Sequence, residues 1–260
     1  MKYLRTVLTS LAVFVVALGL LIGFMPAYLA LPLMQSRLHG LRFSDVGGTL
    51  WQGHAAQVSA PDGTALGSLT WTLSRRALLG DVQLRLALHQ PKFQVRGQMH
   101  RISDTQEDWR DVALQLDMSM LGMQPLLQGE PQGQLDVHIM QARLQGGWPM
   151  QVDAFGTWSQ AAVRTAQGVL PLGTLLLRIN GQAGVLKAVL DDDGSGPLQT
   201  AGRLSFSPLG WDLQLSLKPR GDNPPLMHWL HDLGPVAADG SVQLRYRGGL
   251  SHLNANTENP

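Results

Sequence analysis

At 260 residues, with 44% hydrophobic and 15% charged side chains, 29 Gly and 15 Pro, the chain suits one large domain or two modest ones made of short strands and turns. Its net charge of +1 provides no positive field to hold a polyanion, so nucleic acid is excluded as a partner. It contains no cysteine, hence no disulfide framework, thiolate metal site or thiol nucleophile.

The chain opens with Lys2 and Arg5, then runs through VLTSLAVFVVALGLLIGFM, residues 7–25, without a charge. As a helix rising about 1.5 Å per residue, that stretch crosses a hydrocarbon core of about 30 Å. A cleaved signal peptide shares the basic start and apolar run, but this run exceeds the usual signal core. PAYLALPLMQ, which follows it, also lacks the paired small residues of a cleavage site. The expectation is an uncleaved single-pass anchor, with residues 1–6 in the cytoplasm and the chain from about Leu31 onward outside. In a Gram-negative bacterium this is an inner-membrane protein whose bulk, residues 31–250, is periplasmic.

Beyond the anchor the pattern is period two. In VQLRLALH (82–89), Val82, Leu84, Leu86 and Leu88 share one face, and Gln83, Arg85 and His89 share the other. VALQLDM (112–118), LDVHI (135–139), WDLQLSL (211–217) and VQLRY (242–246) repeat the alternation, separated by PDG, DDDGSG and ADG turns. One wet and one apolar face per strand predicts a mainly β, curved antiparallel domain rather than a parallel sheet covered by helices. Two short helices are expected, over LGMQPLLQ (121–128) and over PPLMHWLHDL (224–233), whose prolines suit a first turn.

Glycines and tryptophans recur along this pattern. VGGTLWQGHA carries Gly48, Trp51 and Gly53, Gly67 and Trp71 follow in LGSLTW, and FGTWSQAA with LPLGT supplies Gly156, Trp158 and Gly173. Aligned at offsets of about a hundred residues, they suggest two similar units, 48–140 and 156–247, in which Trp51 and Trp158 are equivalent. Glycine beside a strand permits a bulge or the close approach of a ring, so these residues read as packing devices and not as a ligand site. The segment LRYRGGL, 244–250, reads as a terminal edge strand. Leu244 and Tyr246 should lie on one side and Arg245 and Arg247 on the other, open to strand addition by a partner. Residues 251–260 read as a flexible solvated tail.

Catalytic machinery is not evident in the sequence. There is no G-x-S-x-G elbow, H-E-x-x-H pair or phosphate-binding G-x-x-x-x-G-K-[ST] loop, so no enzyme activity, catalytic residue or cofactor is assigned. His228 and His231 have metal-ligand spacing on a helix but no third ligand, and no metal site is assigned. Asp191, Asp192 and Asp193 lack the alternation of a calcium loop and read as a solvated turn. Arg75 and Arg76 form a two-charge patch within reach of lipid head groups.

Together with the anchor, GGTLWQGHA, GTALGSLTWTLSRRALLGDVQLRL, FGTWSQAA, LPLGTLLLRI, DDDGSGPLQTAGRLSF, LSLKPRG and LHDLGPVAADGSVQLRYRGGL come in an order and spacing that resembles the type II secretion system protein N family. The resemblance runs from the anchor to about Leu250. It implies a bitopic inner-membrane protein with a periplasmic β domain, similar to AsmA-like folds. It also implies an accessory role in moving folded proteins from the periplasm across the outer membrane. Its partners would be other type II secretion components, such as the secretin or the inner-membrane platform, together with membrane lipid. Two readings of the β domain follow: a docking module for secretion proteins, and a lipid-binding or lipid-transfer module whose apolar strand faces line a groove.

Overall fold

Period-two alternation builds thirteen strands among the residues that the computed structural model describes, 23–29 and 40–249. The expected span over 7–25 lies almost wholly outside those residues, as does the tail 251–260. No described helix is long and apolar enough to cross a membrane. In chain order the strands are β1 Arg42–Gly48, β2 Gln52–Ser59, β3 Ala65–Leu73, β4 Gln83–Gln90, β5 Phe93–Arg101, β6 Gln106–Asp117 and β7 Glu130–Gln145. They continue with β8 Trp148–Thr165, β9 Gly168–Gln182, β10 Val185–Asp192, β11 Leu198–Ser207, β12 Gly210–Pro219 and β13 Val242–Gly249. They form one open antiparallel sheet whose strand order is the chain order, as consecutive hairpins require. Two compact units divide the chain, with the boundary inside β5.

In the first unit, β2 and β3 pair irregularly. Ala55 faces Leu69 and Val58 faces Gly67, three residues against two, and Ser59 then faces Ala65, one against two. In the second unit, β8 and β9 do the same. Trp158 faces Leu175, Ala161 faces Gly173, and Ala162 faces Pro171. Gly67 and Gly173 both sit at positive φ, +94° and +106°, where a side chain would be strained. A Cβ would also strike the His89 carbonyl oxygen at Gly67 and come within 2.7 Å of the Gly196 Cα at Gly173. This shared pairing matches Gly53 with Gly156, Gln57 with Gln160 and Leu69 with Leu175. In that register Trp158 stands where the first unit has Ala55, and Trp51 lies just before β2.

The expected helix over 224–233 forms as α1, Pro224–Leu233. The Asn223 side chain accepts a hydrogen bond from the Leu226 N–H at 3.2 Å, and two prolines occupy the first turn, where no donor is needed. Leu226, Trp229 and Leu230 recur at helical spacing and are fully buried. They pack on Ala161 and Val163 of β8, Leu170, Leu172 and Leu175 of β9, Leu198 of β11, Leu217 of β12, and Val242 and Leu244 of β13.

The other expected helix, 121–128, does not form. A 3₁₀ turn covers Met118–Leu121, capped by the Asp117 carboxylate on the Ser119 N–H at 2.9 Å. Gly122, at φ +63°, and Pro125 interrupt any longer helix. The segment instead braces α1. The Trp229 indole N–H donates to the Leu127 carbonyl at 2.8 Å, and the Gln128 amide donates to the Asp232 carbonyl at 2.6 Å.

Trp229 is the largest side chain on the buried stripe of α1 and its indole hydrogen bond ties α1 to the 122–129 segment. Trp229→Ala should therefore destabilise the second unit by about 3 to 5 kcal/mol, measured as a lowered denaturant midpoint, with Met227→Ala on the exposed side of the helix nearly silent.

Candidate functional site: a two-faced sheet and its last edge

Cross-strand partners point to the same face of a sheet, so the register of the second unit reads out its two surfaces row by row. One row runs Val112, Ile139, Ala154, Ile179, Ala188, Leu204, Leu213 and Tyr246 from β6 to β13. The row beside it runs Leu114, Val137, Gly156, Leu177, Leu190, Gly202, Leu215 and Leu244. Neither row contains a charged side chain. Helix α1 lies over one end of this face only. Along β11, exposure on this side rises from 1% at Leu198 and 3% at Thr200 to 36% at Leu204 and 39% at Phe206. At the open end the Phe206 ring stacks on Trp148, centroids 5.4 Å apart, and the Trp148 indole donates to the Gly184 carbonyl at 3.0 Å.

The opposite face is mixed. Its corresponding row is Ala113, His138, Phe155, Arg178, Val189, Arg203, Gln214 and Arg245, with His138 stacked on Phe155. Three exposed arginines thus stand two strands apart, which at about 4.8 Å per strand is roughly 10 Å. Asp153, Asp191 and Asp212 lie in the neighbouring rows.

The last strand joins the two faces at an edge. β13 stands at the end of the sheet order and pairs with β12. Leu244 is buried and Tyr246 half-buried on the apolar side, while Arg245 and Arg247 are exposed on the other. Arg247 forms an ion pair with Asp212 of β12. The Arg247 hydrogen bond, then that from Gln214, hold the Asp212 carboxyl below its ordinary pKa. Burial opposes them weakly, and the Arg247 and Arg245 charges assist.

The glycines and tryptophans singled out from the sequence are dispersed along the sheet. Gly48 begins the β1–β2 turn, and Gly53 lies under the Trp71 ring, where a Cβ would overlap it. The Trp71 indole donates to the Leu50 carbonyl at 3.1 Å, and Trp51 is buried. In the second unit the Trp158 indole donates to the Gln132 carbonyl at 2.9 Å, while Gly156 sits in the apolar row. His228 and His231 are both exposed on α1. Among the described residues no group of three or more His, Cys, Asp or Glu is placed to hold a metal ion.

Asp192 departs from the solvated turn expected of it. Its side chain is only 7% exposed and forms an ion pair with Arg220. It also accepts the Thr200 N–H at 2.7 Å and the Gly194 N–H at 2.8 Å. Arg220 in turn donates to the carbonyls of Gly196 and Leu198 at 3.0 and 3.3 Å, closing the β10–β11 turn against the end of β12. Burial by itself would raise the Asp192 pKa. The hydrogen bonds from Thr200, Arg220 and Gly194, with the Arg220 charge, outweigh it and hold the carboxyl below the ordinary range. No local sequence signal marked this pair, because Arg220 is 28 residues away.

A family model described as type II secretion system, protein N, matches residues 39–245. The chain belongs to that family. A relative from Vibrio cholerae serotype O1, named type II secretion system protein N, is 30% identical over 152 residues. That alignment covers 56% of this chain and 60% of the relative, so the chain spans less than two thirds of the relative it matches. No solved structure matches.

Because Asp192 and Asp212 titrate below the unfolded aspartate value of about 3.9, their stabilisation is complete above that pH. It is lost as pH falls through their folded pKa values. Asp192→Asn should cost about 1.5 to 3 kcal/mol at pH 7 and flatten the fall in thermal midpoint as the pH drops below the unfolded aspartate value of about 3.9, followed by circular dichroism.

Proposed function

We propose that this chain is an accessory inner-membrane component of the type II secretion system. Residues 1–6 would be cytoplasmic, 7–25 would span the membrane and the β region would stand in the periplasm. It turns over no substrate of its own and supports export of folded proteins by docking other secretion components, the secretin or the inner-membrane platform. The observation that carries this reading is the family match across 39–245, which embraces nearly the whole described β region. Within that region the β13 edge fits the role. Beyond Val242, which bridges to Val236, its outward backbone groups can accept an added strand, with Tyr246 on one side and Arg245 and Arg247 on the other.

A second reading, lipid binding or transfer, is favoured by the apolar rows left open beyond α1 at Leu204 and Phe206. Mass spectrometry of the purified protein would then find phospholipid, absent from a Leu204→Asp, Phe206→Asp variant. Docking and lipid binding would use adjoining surfaces, so the two assays report separately.

A photoreactive residue at Arg245 or Arg247 should capture a secretion component in whole cells, while one at Thr64, in a turn of the first unit, should not. Capture from other surface positions but from neither of these would place the contact away from β13.

A further inference from the structure

The first unit gathers its most exposed apolar side chains at one end. β2 leaves the β1–β2 turn and runs to the turn at 60–64, and β3 returns from there, so β3 finishes beside the start of β2. The Leu73 N–H donates to the Trp51 carbonyl at 2.7 Å, and the Ser74 N–H to the Gln83 carbonyl at 2.8 Å. The chain then makes a single 3₁₀ turn, Arg75–Leu79, in which no residue is buried. Leu78 is 60% and Leu79 88% exposed. This exposure is fixed by a well-capped turn: Ser74 accepts from the Arg76 N–H at 3.2 Å, and Gly80, at φ +90°, donates to the Ala77 carbonyl at 3.1 Å. Arg75 and Arg76 stand in the same turn, both exposed. Asp81, which follows it, is engaged by His100 at 3.0 Å and lies 4.0 Å from Arg76.

The same end of the unit receives the chain from the N-terminal apolar stretch. The Leu50 N–H donates to the Met25 carbonyl at 2.9 Å, Pro26 bridges to Thr49, and Ala27 is fully buried. Phe24, Tyr28 and Leu29, around this attachment, are half or more exposed. The residues directly after the stretch 7–25 are thus tied to the β1–β2 turn. The Trp71 indole bond to Leu50 links that turn to β3, and β3 leads directly into the 75–79 turn.

We infer that the Arg75–Leu79 turn is a second membrane contact. Leu78 and Leu79 enter the interface of the bilayer that holds residues 7–25, and Arg75 and Arg76 meet its anionic head groups. The inference rests on the reading of 7–25 as an anchor. Two exposed leucines beside two arginines match an interface that is apolar just below an anionic surface, and the tethered Met25 and Pro26 bring that surface to this end of the unit.

Since the chain has no cysteine, single-cysteine variants L78C, L79C and T64C accept one environment-sensitive fluorophore each. The full chain would be reconstituted into vesicles of phosphatidylethanolamine and phosphatidylglycerol carrying shallow nitroxide lipids, with anchoring checked by flotation in alkaline carbonate. The expected result is a blue shift and nitroxide quenching at positions 78 and 79, neither at 64, and weaker quenching when R75E and R76E are added. Chain that floats while positions 78 and 79 remain aqueous would overturn the inference and leave the anchor intact. Equal quenching at 64 would overturn end-on contact, and unchanged quenching in R75E/R76E would overturn the head-group contact. Failure to float would remove the anchor and this inference together.

Discussion

The second unit depends on how a one-sided apolar sheet is covered. Alternating strands from β6 to β13 put two adjoining rows without a charged side chain on one face, and such rows are stabilised where something lies over them. Helix α1 does this at one end, through Leu226, Trp229 and Leu230 against β8, β9 and β11 to β13. Burying side chains of this size is worth about 1.5 to 3 kcal/mol each, enough to fix α1 in place. The other end carries the same patterning without that cover, and exposure along β11 records the transition. The polar network of Asp192, Arg220 and Thr200 closes the β10–β11 turn at the covered end.

The repeated pairing of β2 with β3 and of β8 with β9 gives the recurrent glycines a shared physical cause. A local three-against-two count followed by one against two needs a residue at positive φ where the ladder slips, and Gly67 and Gly173 supply it. The tryptophans serve their own neighbourhoods by different contacts. Trp71 covers Gly53 and binds Leu50, whereas Trp158 lies within the β8 ladder and reaches back to Gln132.

The strands were legible because their alternation is a local property, and α1 because two prolines suited to a first turn are a local signal as well. The 121–128 segment misled because Met123, Leu126 and Leu127 have helical spacing, while Gly122 and Pro125 decide the backbone. The recurrence of glycines such as Gly67 and Gly173 was visible, yet the slips in pairing were not: they shift the two strands of each hairpin by different offsets, 103 for Gln57 with Gln160 and 106 for Gly67 with Gly173. Asp192 was misread because its partner is distant in the chain. Where α1 stops covering the sheet was likewise invisible, since the patterning is the same at both ends.

The central claim is that the uncovered end of the apolar face, beside the β13 edge, is a surface this chain needs for its part in secretion. Its most direct test is export of folded periplasmic proteins from cells whose only copy carries Leu204→Asp with Phe206→Asp. Both side chains are already more than a third exposed, so the variant should fold and accumulate normally. The account predicts reduced export at wild-type protein levels. Wild-type export at those levels would contradict it.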